Sequence, residues 1–165
     1  MLGYVIETKE LIRTLELVHR LFGISITFFG PDDGKLDVPG MMDMSAYCGE
    51  RRRHADFNAA CQRCDLEHLQ IAKHLRRVHL YHCHVGLQEG VVPLYDQKRK
   101  YLGAIVFGQI RPMNEPDRSN EGERLNEQYR QLPAYPVEQT ENIGLLLKYI
   151  SEYIIVNELI RLKNL

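Results

Sequence analysis

All four cysteines of the 165-residue chain, and six of its seven histidines, fall between Cys48 and Leu87. The spacing is Cys48-x12-Cys61-x2-Cys64-x18-Cys83, and Cys83 sits inside Tyr81-His-Cys-His-Val-Gly-Leu87. Thiolates and imidazoles are ligands for zinc and other borderline metals. A Cys-x2-Cys pair brings two sulfurs to one ion, and a tetrahedral zinc site needs four donors at about 2.3 Å. An iron–sulfur cluster also takes four thiolates. His82 or His84 could stand in for one sulfur. Two other readings use the same residues: a redox-active Cys61–Cys64 pair, or four buried free thiols acting as small core side chains. The overall spacing is not that of a known zinc finger or ribbon.

Catalytic chemistry is less well served. Cys83 and His84 invite a thiol–imidazole nucleophile. If residues 80–85 form a strand, however, neighbours point to opposite faces and cannot pair. No Gly-rich phosphate loop and no Gly-x-Ser-x-Gly elbow is present. The residues therefore point to binding rather than turnover, with a thiol- or zinc-dependent enzyme as the least favoured class.

These side chains need elements to hold them. Residues 8–22 form an amphipathic helix, with Thr8 as N-cap, Leu11, Leu15, Val18 and Phe22 on one face and Gly23 at its end. Ile24–Phe29 reads as a strand. Gly30-Pro-Asp-Asp-Gly34 is a turn, and 35–38 would complete a hairpin. Met41, Met42 and Met44 follow in a loop, where they line a soft cavity or fill core. Residues 53–78 read as the longest helix, or as two with a restart near Asp65. The triplet Arg51–Arg53 reads as a solvated basic run.

Strands follow at 80–85, 91–95 and 101–110, with a charged turn at 96–100. Pro93 lacks a ladder donor and belongs at an edge or bulge. Gly103 and Gly108 would leave open surface on the last strand. Residues 122–131 form a polar helix. The last helix, 137–165, has a heptad reading: Ile143, Ile150 and Asn157 at one seam position, Leu146, Tyr153 and Ile160 at the other. This predicts a homodimer through that helix, or otherwise a core-packing face. Its end lacks a capping glycine or proline, so it would run on into a further domain.

The expected architecture is α+β: an antiparallel sheet flanked by helices, with a Cys-rich helical insert and a long C-terminal helix. One domain spans 1–165, with a core of 8–136 and a signalling or dimerisation helix at 137–165. A net charge of −1 makes direct nucleic-acid binding by this segment a poor expectation. No apolar run is long enough for a membrane span. The N-terminus lacks the pattern of a signal peptide, so a cytoplasmic setting is expected.

Cys61-Gln-Arg-Cys64-Asp65, Tyr81-His-Cys83-His84-Val-Gly86-Leu87, Pro93, Leu102-Gly103 and Gly108-Gln109 occur in an order that resembles the PocR-type sensory domain. Cys48 before Cys61 fits as well. The resemblance runs over roughly 8–112. Val85 departs from it, since a small residue such as Ala is more usual there.

The resemblance implies a PAS-like fold with a ligand pocket. Such domains are sensory parts of AraC-type transcription regulators or histidine kinases, with small hydrocarbon derivatives such as diols as ligands. It maps Cys48, Cys61, Cys64 and Cys83 onto the family's cysteines, and His84, Gly86 and Gln109 onto its other motif positions. Tyr81, His84 and Gln109 carry polar tips able to hydrogen-bond a small alcohol, or to satisfy buried backbone. Phe107 and Met44 are candidates for an apolar wall. The leading expectation is a small-molecule sensor that signals through its last helix. The alternative is a metal- or redox-responsive switch built on the four cysteines.

Overall fold

A computed structural model of the protein describes residues 2–7, 9–38 and 42–165. Thr8, expected as an N-cap, and Met41 lie outside the described residues.

The chain begins with two short helices, α1 (Leu2–Glu7) and α2 (Glu10–Phe22). Lys9 precedes α2 in the left-handed region, and α2 buries Leu11, Leu15 and Val18. Gly23 ends it with φ near 69°, its N–H donating to His19 O, the usual glycine solution to unpaired helix-end carbonyls. Strand β1 is Ser25–Phe29. The expected hairpin forms only in part among the described residues: Lys35 bridges to Phe29, and Leu36 N donates to Phe28 O at 2.9 Å, with no second strand.

The helix expected over 53–78 is a single one spanning Ala55–Leu75, with no restart near Asp65, and a separate short helix that was not expected precedes it. In α3 (Ala46–Arg51), Ser45 is the N-cap and its Oγ accepts from Cys48 N at 3.2 Å. The chain then turns through Arg52–His54, with His54 extended, and enters α4 (Ala55–Leu75). Helix α4 stops at Arg76, which adopts φ 56° and donates to Ala72 O.

Strands β2 (His79–His82), β3 (Gln88–Tyr95) and β4 (Tyr101–Ile110) complete an antiparallel sheet of order β1-β4-β3-β2. Helices α5 (Glu123–Arg130) and α6 (Val137–Lys163) follow. The fold is thus α+β, with a long terminal helix as expected. Pairing of β2 with β3 stops at His79–Val91. Pro93 therefore lies where β3 has become an edge on that side, and its missing donor costs nothing there. Gly103 and Gly108 do not leave open surface. Both have positive φ, and a Cβ on Gly103 would stand 2.2 Å from Phe29 O, one on Gly108 2.7 Å from Gln88 O. Neighbouring backbone fills the space.

The sheet is buried on both faces. On one, Ile26, Phe28, Val92, Leu94, Ile105 and Phe107 pack with α2 and α6. On the other, Phe29, Val91, Ala104, Val106 and Tyr81 pack with Leu69 and Ala72 of α4. Alternation along β4 therefore sends successive side chains to opposite layers.

Helix α6 buries Ile143, Gly144, Leu147, Ser151, Ile154, Ile155 and Leu159. This shifts the heptad reading. Ile143 belongs to the protein's own core and is 2% exposed, because the sheet takes that face. Leu146, Tyr153 and Ile160 do face outward, joined by Tyr149, with Tyr153 73% exposed. The outward seam is therefore Leu146, Tyr149, Tyr153 and Ile160, rotated away from Ile143.

Candidate functional site: a polar chamber beside a thiol cluster

Between α3, α4 and the α4-side face of the sheet lies a chamber of about 550 Å³. Its mouth is lined by Arg53, Asn58, Gln62 and Leu66. It deepens into a recess of about 30 Å³ against the sheet, lined by Ser25, Thr27, Glu89, Val106 and Gln109. Phe29, Lys35, Met44, Arg52 and Asp65 border both spaces. The mixture of apolar wall and converging donors and acceptors is what a small polar organic ligand requires.

The polar floor is electrostatically tense. Arg52 Nη2 lies 3.6 Å from Asp65 Oδ2, and both side chains are largely buried. Burial pushes the Asp65 carboxyl up, while Arg52 holds it down. Glu89 is pushed up to about 7, first by burial and then by the Asp65 charge, against the hydrogen bond it accepts from Tyr81 OH at 2.8 Å. Around neutrality this carboxyl is poised between charged and neutral forms.

Arg52, Asp65 and Glu89 also border a second, smaller cavity of about 10 Å³. Cys48, Cys61, Cys64, Cys83 and His84 surround it. The fold thus brings together four cysteines from α3, α4 and the β2–β3 turn. All four are free thiols. Among the described residues, no group of three or more His, Cys, Asp or Glu side chains is positioned to hold a metal ion as it stands. Burial pushes Cys48 and Cys83 up to about 12 and Cys64 up to about 11. Burial by itself favours the neutral thiol at these three over an activated thiolate.

The β2–β3 connection corrects the strand expected through Val85. Strand β2 ends at His82, and Cys83–Gly86 is a tight turn: Gly86 N donates to Cys83 O at 2.9 Å, and Cys83 N to Leu87 O at 2.9 Å. Gly86, at φ 84°, supplies the left-handed residue the turn needs. His84 therefore swings across to α4. Its Nε2 lies 3.1 Å from Cys61 Sγ, and its ring packs edge-on against Phe57. The thiol–imidazole contact is thus made with Cys61, not Cys83. Burial raises the Cys61 thiol, while burial and nearby Arg51, Arg52 and Arg63 lower His84. Both shifts favour the neutral pair, which opposes nucleophile activation.

The turn is clamped from outside. Arg118 Nη2 donates to Val85 O at 2.5 Å and Nη1 to Tyr47 OH at 2.9 Å, while its guanidinium stacks 4.3 Å over Tyr129. Tyr47 OH in turn donates to Glu121.

The other expected ligand contacts separate. Met44 borders the chamber and its recess. Gln109 reaches the recess, but its amide is already engaged: Oε1 accepts from Ser45 N at 2.8 Å and Nε2 donates to Asp43 O at 3.0 Å. It pins the loop that leads into α3. Tyr81 borders neither space; it donates to Glu89 and stacks on His68 at 3.7 Å. Phe107 lies on the opposite sheet face, against Gly144 of α6. His84 borders the thiol cavity alone.

The sequence reading passed over Arg52, Asp65 and Glu89. The basic triplet is not uniformly solvated: Arg51 sits 4.6 Å over the Phe57 ring and 2.9 Å from Glu121, and Arg52 pairs with Asp65. Only Arg53 is largely exposed. The available signal was Glu89, a carboxylate separated by Gly90 alone from the apolar run Val91–Leu94.

Set against known protein families, residues 4–159 match the one described as the sensory domain found in PocR. No curated protein and no solved structure matches the chain. Among the described residues, no helix is long and apolar enough to cross a membrane. The family is described as a sensory one. The match runs over nearly the whole sequence, so this chain belongs to the PocR sensory-domain family.

Proposed function

We propose that the chamber receives a small hydroxylated hydrocarbon derivative, such as a short diol or alcohol, and that the domain reports its presence through α6 to an attached output module of a transcription regulator or histidine kinase. The observation that carries this reading is the 550 Å³ space itself, with an apolar wall at Phe29, Leu66 and Leu69 and polar tips at Asn58, Gln62, Arg52 and Asp65. Such a site offers methylene contacts and hydroxyl partners together. The transmission route is short. Val106 faces the recess, and its neighbour Phe107 faces α6, so a ligand that reseats β4 biases the helix by population shift. Two copies pairing along Leu146, Tyr149, Tyr153 and Ile160 would receive that bias as a change in the dimer.

The test is a thermal-shift and calorimetric screen of C2–C4 diols and alcohols. A ligand at a hundred times its Kd stabilises by about 2.7 kcal/mol, roughly 5–10 °C for a chain of this length. Asn58→Leu, at the chamber mouth, should abolish the shift and leave the unliganded melting point near wild type. If no compound in the screen gives saturable stabilisation, the assignment to this ligand class fails.

A further inference from the structure

We propose that Cys48, Cys61, Cys64 and Cys83 ligate one four-coordinate metal ion of the zinc class, and that this ion fastens α3, α4 and the β2–β3 turn into a single wall of the ligand chamber. Three segments of the fold bring the four cysteines to one cavity. The Ser45 cap sets the first turn of α3 and with it Cys48. Helix α4 runs unbroken through Cys61 and Cys64, which as i and i+3 residues share one helix face. Gly86 and the Arg118 clamp on Val85 O fix the turn that carries Cys83. All four border the same cavity.

The surroundings are wrong for inert core cysteines. Such residues sit among apolar neighbours, whereas this cavity also has Arg52, Asp65, Glu89 and His84 on its walls. Four thiolates around a divalent ion leave a net charge of −2, and the buried Arg52 guanidinium lies beside it. His84 Nε2, 3.1 Å from Cys61 Sγ, is the positioning residue that hydrogen-bonds that sulfur. The cavity is small, about 10 Å³, on the order of one water molecule's space, which suits a single ion better than a cubane cluster. Metal binding would draw the sulfurs of α3, α4 and the β2–β3 turn, which border one cavity, onto a common ion. Loading would therefore stiffen the chamber side that bears Arg52 and Asp65 without adding a ligand contact.

The inference rests on the chamber reading only for its consequence, not for the ion itself. It is tested without any organic ligand. Protein purified without chelator is assayed for metal by mass spectrometry, then exchanged with Co2+. The expected result is about one zinc per chain and, with Co2+, the intense visible absorption of a tetrahedral thiolate site. Cys64→Ser and Cys83→Ser should each lower metal retention at least tenfold, while His82→Ala, altering an exposed histidine outside the cavity, should retain it. Because a cysteine variant could simply unfold, wild-type protein is also titrated with a thiol reagent before and after metal removal. Protection of all four thiols only in the loaded form supports the site. A metal-free preparation that takes up no Zn2+ or Co2+ and shows four equally reactive thiols overturns it, as does a brown, sulfide-containing preparation.

Discussion

Gly144 offers a direct measure of how tightly α6 is seated on the sheet. A Cβ there would stand 2.8 Å from Val78 Cγ1 and 3.0 Å from Phe107 Cζ. Gly144→Ala gains about 1 kcal/mol of helix propensity. It must then push back two packed side chains, which costs about 1–3 kcal/mol in a well-filled core. Phe107 packs directly against the Gly90 backbone, where an added Cβ would stand 2.5 Å from its ring, so it cannot retreat that way. The cost should therefore fall at the upper end, for a net destabilisation of about 1–2 kcal/mol. For a chain of this length that lowers the melting temperature by about 3–8 °C. Urea denaturation should show the midpoint falling at constant slope. Gly3→Ala, on a helix where an added Cβ meets nothing within 4 Å, serves as the control and should be neutral or slightly stabilising. Phe107→Leu combined with Gly144→Ala should recover about 1 kcal/mol relative to the sum of the single changes. If Gly144→Ala proves as stable as wild type, α6 is not seated on Phe107 as described.

Three further outcomes follow from the site. Glu89 has its folded pKa raised from the ordinary 4.5 to about 7, so its contribution is present in full below about pH 4.5 and drains away as pH rises through 7. The loss should reach about 2–3 kcal/mol by pH 8, and Glu89→Gln, which can still accept from Tyr81, should flatten the pH 5–8 stability profile. An unchanged slope in that variant would assign the effect elsewhere. Arg118→Met strands Val85 O and breaks the contact with Tyr47 OH; it should cost about 2–3 kcal/mol and speed amide exchange at Cys83–Leu87 more than in α6. Tyr153→Lys, at a 73% exposed position, should leave the monomer's melting curve intact while shifting light-scattering mass from dimer to monomer; a mass unaffected by the change would count against pairing along this seam.

How legible the molecule was in its sequence differs by element, for physical reasons. Strand β4 was read at its observed bounds because Tyr101–Ile110 is apolar apart from Gln109 and follows a charged turn. That same uniformity hid which side chains face which layer. With both faces buried there is no alternation to read, so Phe107 was expected at the chamber, and Val106 holds that place. The cysteines were legible as a group because soft donors clustered in a quarter of a chain are compositionally unusual. Arg52, Asp65 and Glu89 were not, since an ionisable residue carries no mark of burial until its partner is known; Arg52 and Asp65 are brought together only because α3 breaks before α4. Likewise His84 was placed on a strand, and the turn that redirects it depends on one left-handed glycine.

The back-to-back use of β4 has a consequence for how such a domain diversifies. A side chain on the chamber side and one on the helix side are consecutive residues of one peptide ribbon. On the proposed route through β4, selection for a new ligand at Val106 or Thr27 would also disturb the packing against α6. Ligand preference and baseline activity would then be inherited together. Variants selected only for altered ligand preference should include many that are constitutively on or off, and compensating changes should concentrate at Gly90, Phe107 and Gly144, where the two layers meet.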